Sequence, residues 1–195
     1  MMALMLLAAA GAGCVRVEGD RILAGEMARA WPAFSRVAPD IPLGYAPAPG
    51  ARRIFSLAEL ARLAARHGVA PPPEAPVCFE RPMAALRRER VLEAMRAALE
   101  CPEARIEIVE LSRYPVPEGE LVFARSGLRA PGRGAPPGTP VLWRGSVLYG
   151  GGRRFAVWAR VVVTAPLRRV RAAQALPAGQ IIEAGQLRVV EEEGF

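Results

Sequence analysis

The apolar and polar positions of this chain change period several times, and each change marks a predicted element. Residues 14–23 (CVRVEGDRIL) alternate around Gly19-Asp20, the pattern of a short strand pair or a strand with a turn. A short helical stretch follows over 24–30 and stops at Pro32. Residues 39–50 (PDIPLGYAPAPG) then carry too many prolines for much regular structure. The clearest helix opens at Ser56-Leu57-Ala58-Glu59, a capping box in which serine and glutamate satisfy each other's backbone N–H groups. Leu57, Leu60, Ala61, Leu63 and Ala64 form its apolar stripe. Gly68 is its expected left-handed cap, and Pro71-Pro72-Pro73 prevents resumption.

Residues 77–80 (VCFE) read as a strand. Pro82 opens a second helix predicted to run to about Glu100, with Leu86, Leu92, Met95 and Leu99 inward. Strands are expected over 105–111 and 120–124, with a turn over 115–119. A Gly/Pro-rich loop spans 127–140. Two apolar-rich runs, 141–149 and 153–164, are joined by Gly150-Gly151-Gly152, which predicts an antiparallel hairpin. Trp143 and Trp158 are placed in its packed surface as core aromatics. The elements define an α+β domain of mixed helix and antiparallel sheet over 14–165. Pro166 marks the boundary to a tail over 166–195.

Composition alters this picture little. The 195 residues are 52% hydrophobic and 23% charged, ample for a core. The net charge is +7 and every basic residue is arginine, but the arginines stand singly or in pairs. No basic arm exists to grip nucleic acid. Nor does any nucleophile, metal or phosphate motif appear: the chain has one histidine, His67, in a helix end where it serves the helix dipole, and only two aspartates, Asp20 and Asp40. The expectation is a binding protein, not an enzyme, without metal or cofactor.

The N-terminus points to export. Residues 1–13 (MMALMLLAAAGAG) resemble the apolar core of a secretory signal, with Ala10-Gly11-Ala12 as the cleavage site. The basic leader is missing, which suggests a start further upstream. A lipoprotein signal ending at Cys14 is the second reading, although Gly11 stands where leucine is usual. Membrane association is expected only through such a signal or lipid anchor. Cys14, Cys78 and Cys101 lack metal-ligand spacing. In an oxidising compartment the expected disulfide joins Cys78 and Cys101 across the intervening helix, with Cys14 free or lipidated.

The tail contains Leu176-Pro177-Ala178-Gly179-Gln180-Ile181-Ile182-Glu183-Ala184-Gly185-Gln186-Leu187: a turn, a short buried strand, a second turn and the start of another element. Its glycines permit the positive φ of close turns. Residues 19–27 (GDRILAGEM) echo it in the pattern G-x-x-I-x-A-G-[EQ]-[ML]. The tail resembles the start of a SAF (β-clip) domain, with Gly179, Ile182, Ala184, Gly185 and Leu187 carrying the turn motif. The ordered stretches GDRILAGEMA, PLGYAPAPGARRIFSLAELARLAARHG, VCFER, VLWRGSVLY, RFAVWARVVV and VRAAQALPAGQIIEAGQL together are similar to the flagellar basal body P-ring assembly chaperone (FlgA) family. The resemblance implies a periplasmic protein that binds the P-ring subunit and assists its polymerisation around the flagellar rod, with no catalytic residue. Family members continue past this point, so the SAF-like domain is expected to be truncated and its last strands to lack partners. The loop over 132–138 and the adjacent hairpin are the expected contact surface. A pilus or secretion-system assembly protein with a similar SAF module is the alternative, and a polysaccharide-binding surface protein the third.

Overall fold

In the computed structural model, which describes residues 13–132, 134–136 and 138–194, the chain is mixed α+β and divides into two units. Unit 1 holds the described residues up to Ala84, with Val116–Glu118 and Tyr149–Arg153. Unit 2 holds Ala85–Pro115, Gly119–Leu148 and the chain from Arg154 onward. The expected signal segment lies, but for Gly13, outside the described residues.

In unit 1, β1 (Val15–Arg16), β4 (Arg52–Phe55) and β5 (Val77–Glu80) form a sheet in the order β1-β5-β4, with β1 parallel and β4 antiparallel to β5. The turn at Gly19-Asp20 leads into β2 (Arg21–Leu23), which pairs with β3 (Pro42–Tyr45). This strand lies inside the segment expected to be irregular. Pro42 takes its first position, where a missing N–H costs least. The helices are α1 (Ala24–Ala30) and α2 (Leu57–His67). Ile22, Met27, Trp31, Phe34, Phe55, Leu60 and Phe79 are all buried in one core. Each such side chain contributes about 1.5–3 kcal/mol by leaving water. His67 meets Phe34 edge-on, with ring centroids 5.5 Å apart.

The α2 start follows the capping box. Ser56 Oγ accepts from Glu59 N–H (3.3 Å), Ser56 N–H donates to Glu59 Oε2 (2.9 Å), and Gly68 closes the helix at φ 64°. Leu60, Leu63 and Ala64 are buried, whereas Leu57 and Ala61 face solvent. The Ser56 N–H, then the Arg53 guanidinium (2.5 Å), stabilise the Glu59 carboxylate and lower its pKa from 4.5 to about 2. Because the folded pKa lies below the unfolded one, this contribution is complete above about pH 4.5 and is lost as pH falls toward 2. Glu59→Gln is therefore expected to flatten the stability profile across that window, as thermal melts at successive pH values will read.

The disulfide differs from expectation. Cys14 pairs with Cys78, Cα atoms 4.5 Å apart, and Cys101 is a free thiol. The cause is register: β1 and β5 run parallel with Val15 opposite Phe79, so the residues just before them are also neighbours. Cys101 belongs to unit 2, in the turn after the third helix, where its thiol lies 3.7 Å from Glu103.

Arg81, 5% exposed, ties unit 1 together through backbone carbonyls. Its Nη1 donates to Glu18 O (2.8 Å), Nη2 to Gly19 O (2.8 Å) and Nε to Pro47 O (3.3 Å). Its guanidinium carbon lies 4.9 Å from the centre of the Tyr149 ring. The neighbouring Gly150 has φ 53°, and a Cβ there would stand 2.8 Å from Asp20 Oδ1 and 3.1 Å from Arg81 Nη1. Asp20 in turn faces Arg153 at 2.9 Å. Its Oδ1 is buried without an aligned hydrogen bond, so this is a Coulomb contact.

The segment after Pro82 is the largest correction to the predicted elements. Met83–Ala84 form β6, paired with β8 (Val116–Pro117), and the helix, α3 (Arg88–Leu99), starts only after Arg87. The Pro82 carbonyl accepts from Glu118 N–H (3.2 Å), so the residues around it serve a sheet in unit 1. Leu86 precedes the helix, and Val91 and Met95 make its buried stripe.

Unit 2 packs α3 against β7 (Arg105–Leu111) and β9 (Glu120–Val122). Its sheet runs β12-β11-β10-β9, where β10 is Val141–Tyr149, β11 Arg153–Ala172 and β12 Leu187–Gly194, and β7 also pairs with β11. Phe123 meets Trp143 edge-on (5.9 Å), and Trp143 Nε1 donates to Ala124 O. A Cβ on Gly145 would strike the Phe123 ring at 2.8 Å, so only glycine lets this pair close.

Two expectations about β11 change. Trp143 is fully buried, but Trp158 is 37% exposed, because the buried positions of β11 are Val157, Ala159, Val161 and Val163, and alternation turns Trp158 outward. The strand also runs unbroken through Pro166. Ala173 N–H donates to Gln186 O (2.8 Å), which sets the alternation of the β11–β12 ladder. By that alternation the missing N–H of Pro166 points away from β12 and costs the ladder nothing.

Candidate protein-binding surface

Beyond residue 164, β11 and β12 form a two-stranded ribbon, with Ala165 opposite Gly194 and Ala172 opposite Leu187. Alternation gives it two faces. Ala165, Leu167, Arg169, Arg171, Arg188, Val190, Glu192 and Gly194 share one. Arg169 and Arg171 both pair with Glu192 there, at 3.2 and 2.5 Å. This face borders the loop that carries Pro131 and Thr139, across a cleft of about 440 Å³. The other face carries Val170 opposite Val189, flanked by Leu187, and all its residues are exposed. Val170 and Val189 are 63% and 65% exposed. Its charged pairs are Arg168 with Glu191, at 3.0 Å, and Glu193 with Arg105 of β7, at 3.9 Å. Contiguous exposed apolar side chains make this face a candidate contact surface.

The two G-x-x-I-x-A-G-[EQ]-[ML] segments share one piece of turn chemistry. In the first, Leu23 N–H donates to Glu26 Oε2 (2.8 Å). In the second, Glu183 N–H donates to Gln186 Oε1 (3.0 Å). In both, the Glu or Gln side chain reaches back three residues to close the helical turn built on Ala-Gly. Their burial is opposite. Ile22, Ala24 and Met27 of the first are fully buried, whereas Ile182 and Leu187 of the second are exposed, as is Ile181 beside them. Gly179 has φ 81°, and Ala184 and Gly185 form a short 3-10 turn that hands Leu187 to β12. The five motif residues thus lie on one continuous loop-and-strand segment, not on the predicted buried strand.

A second exposed apolar site lies on the outer face of β10 and β11. Leu142, Arg144, Ala156 and Trp158 surround a shallow groove of about 420 Å³. Ser112 fixes the Trp158 backbone by bonding both its N–H and its carbonyl. This site falls on the predicted contact hairpin. Of the predicted loop, Ala135, Pro136 and Gly138 line the cleft beside the ribbon.

Cys78 and Cys101, the other residues singled out from the sequence, do not come together. Val170, Val189 and Arg81 were not singled out. The two valines were readable from the alternation in LRRVRA and LRVVEE once these are taken as partner strands; nothing local marked Arg81. Among the described residues, no three His, Cys, Asp or Glu side chains converge as a metal site, and no helix is long and apolar enough to cross a membrane. Comparison with protein-family models, curated proteins and solved structures returns no match.

Proposed function

We propose that this protein is a periplasmic chaperone that binds the flagellar P-ring subunit and assists its assembly around the rod, and that its tail is the beginning of a SAF-like module. The observation that carries the binding role is the contrast between the two copies of the turn motif. One buries its isoleucine and methionine in a core; the other leaves Ile182 and Leu187 in solvent, Leu187 next to the exposed Val170–Val189 pair of the ribbon. A partner that covers them recovers the hydrophobic free energy that the first copy gains within the chain. The ordered sequence resemblance supplies the identity of that partner. The Cys14–Cys78 disulfide supports an oxidising compartment.

The test is co-precipitation of the P-ring subunit from the same organism. The unaltered chain is expected to retain the subunit, and Ile182→Asp to lose most of it while melting within a degree or two of wild type, because Ile182 is 55% exposed. Trp158→Ala probes the groove in the same assay and is expected to weaken capture about tenfold if the groove is part of the contact. No capture by the unaltered chain would refute the reading.

A further inference from the structure

The ribbon has an open edge as well as an open face. Among the described residues β12 pairs only with β11, and it presents no proline or bulge along Leu187–Gly194. The Ala173–Gln186 bond sets which groups are free: backbone N–H and C=O of Leu187, Val189, Glu191 and Glu193 point outward, away from β11. A two-stranded ribbon is marginal in water, and unprotected edges recruit strands. The charges along this edge identify the strand that fits. Arg188 stands directly opposite Arg171, a destabilising like-charge pair. Arg171 has Glu192, but Arg188 has no carboxylate partner among the described residues.

We propose that β12 pairs antiparallel with β12 of a second copy of this chain, about a two-fold axis through Val190. A two-fold perpendicular to the sheet keeps each face on its own side. In this register Val189 lies opposite Glu191 of the other copy, and Leu187 opposite Glu193. Every outward N–H and C=O of those four residues is then used. Arg188 meets Glu192 of the other copy, twice by symmetry, and so gains the carboxylate it lacks. Val190 meets itself on the axis. Moving the axis to Val189 leaves Arg188 opposite a valine and strands the outward groups of Glu193. The charge pattern therefore selects both partner and register. The pairing joins two ribbons into one four-stranded sheet and leaves Ile182 and its loop free. It stands independently of the P-ring reading.

Sedimentation of the full chain across a concentration series, with no other protein present, tests it. Wild type is expected to show a reversible monomer–dimer equilibrium, and Arg188→Glu to remain monomeric. Val189→Pro removes an outward N–H without touching the β11 ladder, so it is expected to weaken dimerisation about tenfold or more with unchanged circular dichroism. Geometry is read separately in a Cys101→Ser background. Val190→Cys is expected to form a disulfide between copies under mild oxidation, since facing non-bonded residues lie about 4.5 Å apart. Val189→Cys is not. A wild-type chain that stays monomeric at the highest attainable concentration overturns the proposal. So does a dimer indifferent to Val189→Pro, or crosslinking at 189 in place of 190.

Discussion

Replacing Cys14 by serine is expected to destabilise unit 1 by about 4 kcal/mol, the chain-entropy value for a loop of this size. The two cysteines are 64 residues apart, and the crosslink ties the residue before β1 to the centre of the β5 sheet, so the reduced chain regains the freedom of nearly all of unit 1. Urea unfolding with and without reductant reads the effect. Cys78→Ser should match Cys14→Ser, and reductant should add nothing to either variant. Cys101→Ser should unfold like wild type. A loss on Cys101→Ser with none on Cys14→Ser would restore the Cys78–Cys101 pairing and refute Cys14–Cys78. The same sulfur of Cys14 cannot carry both the disulfide and a lipid thioether, so intact-mass measurement of the purified protein separates those states.

Arg81→Met is expected to cost about 3 kcal/mol, because hydrogen bonds from a charged donor are worth about 1.5–3 kcal/mol each and three are lost, two of them only partly buried. The arithmetic lies in what the arginine leaves behind. Methionine fills much of the volume but donates nothing, so the carbonyls of Glu18, Gly19 and Pro47 lose their donors together. Those carbonyls sit in the turn before β2, the segment after β3 and, through Tyr149 and Gly150, against the hairpin turn. Arg81→Lys should recover only part of the loss, because one ammonium cannot reproduce a planar fork aimed at separate carbonyls. Thermal or urea unfolding distinguishes the three chains. A methionine variant as stable as wild type would show that the carbonyls find water or other donors.

The sequence features that held were those whose physics is local. The α2 capping box and its glycine cap, the VCFE and RIEIVEL strands and the glycine turn between β10 and β11 each depend on residues within a few positions of one another. The features that moved depend on distant partners. Pro82 carries a strong helix-start signal, yet Met83 and Ala84 pair with Val116 and Pro117, more than thirty positions away. Trp158 reads as a core aromatic until the buried neighbours Val157 and Ala159 fix which face is inward. Pro166 reads as a boundary, but the phase of the β11–β12 ladder points its missing N–H away from the partner strand.

The turn motif shows the same division within one pattern. Its Ala-Gly-[Glu/Gln] step dictates a turn closed by the side chain three residues on, and both copies form it, because the bond involves only near neighbours. Whether the adjacent isoleucine is buried is not a local matter. Ile22 falls beneath a core assembled from Phe34, Leu60 and Phe79, whereas Ile182 has no such neighbours. By itself, then, the sequence determined an α+β chain, its capped helix, its strand-forming segments and two like turns. Only the tertiary structure decided which cysteines meet, which tryptophan faces outward, and that the second turn leaves an apolar face and, among the described residues, an open strand edge. Burial and strand pairing are set by segments far apart in the chain, and composition or spacing within one segment carries no record of them.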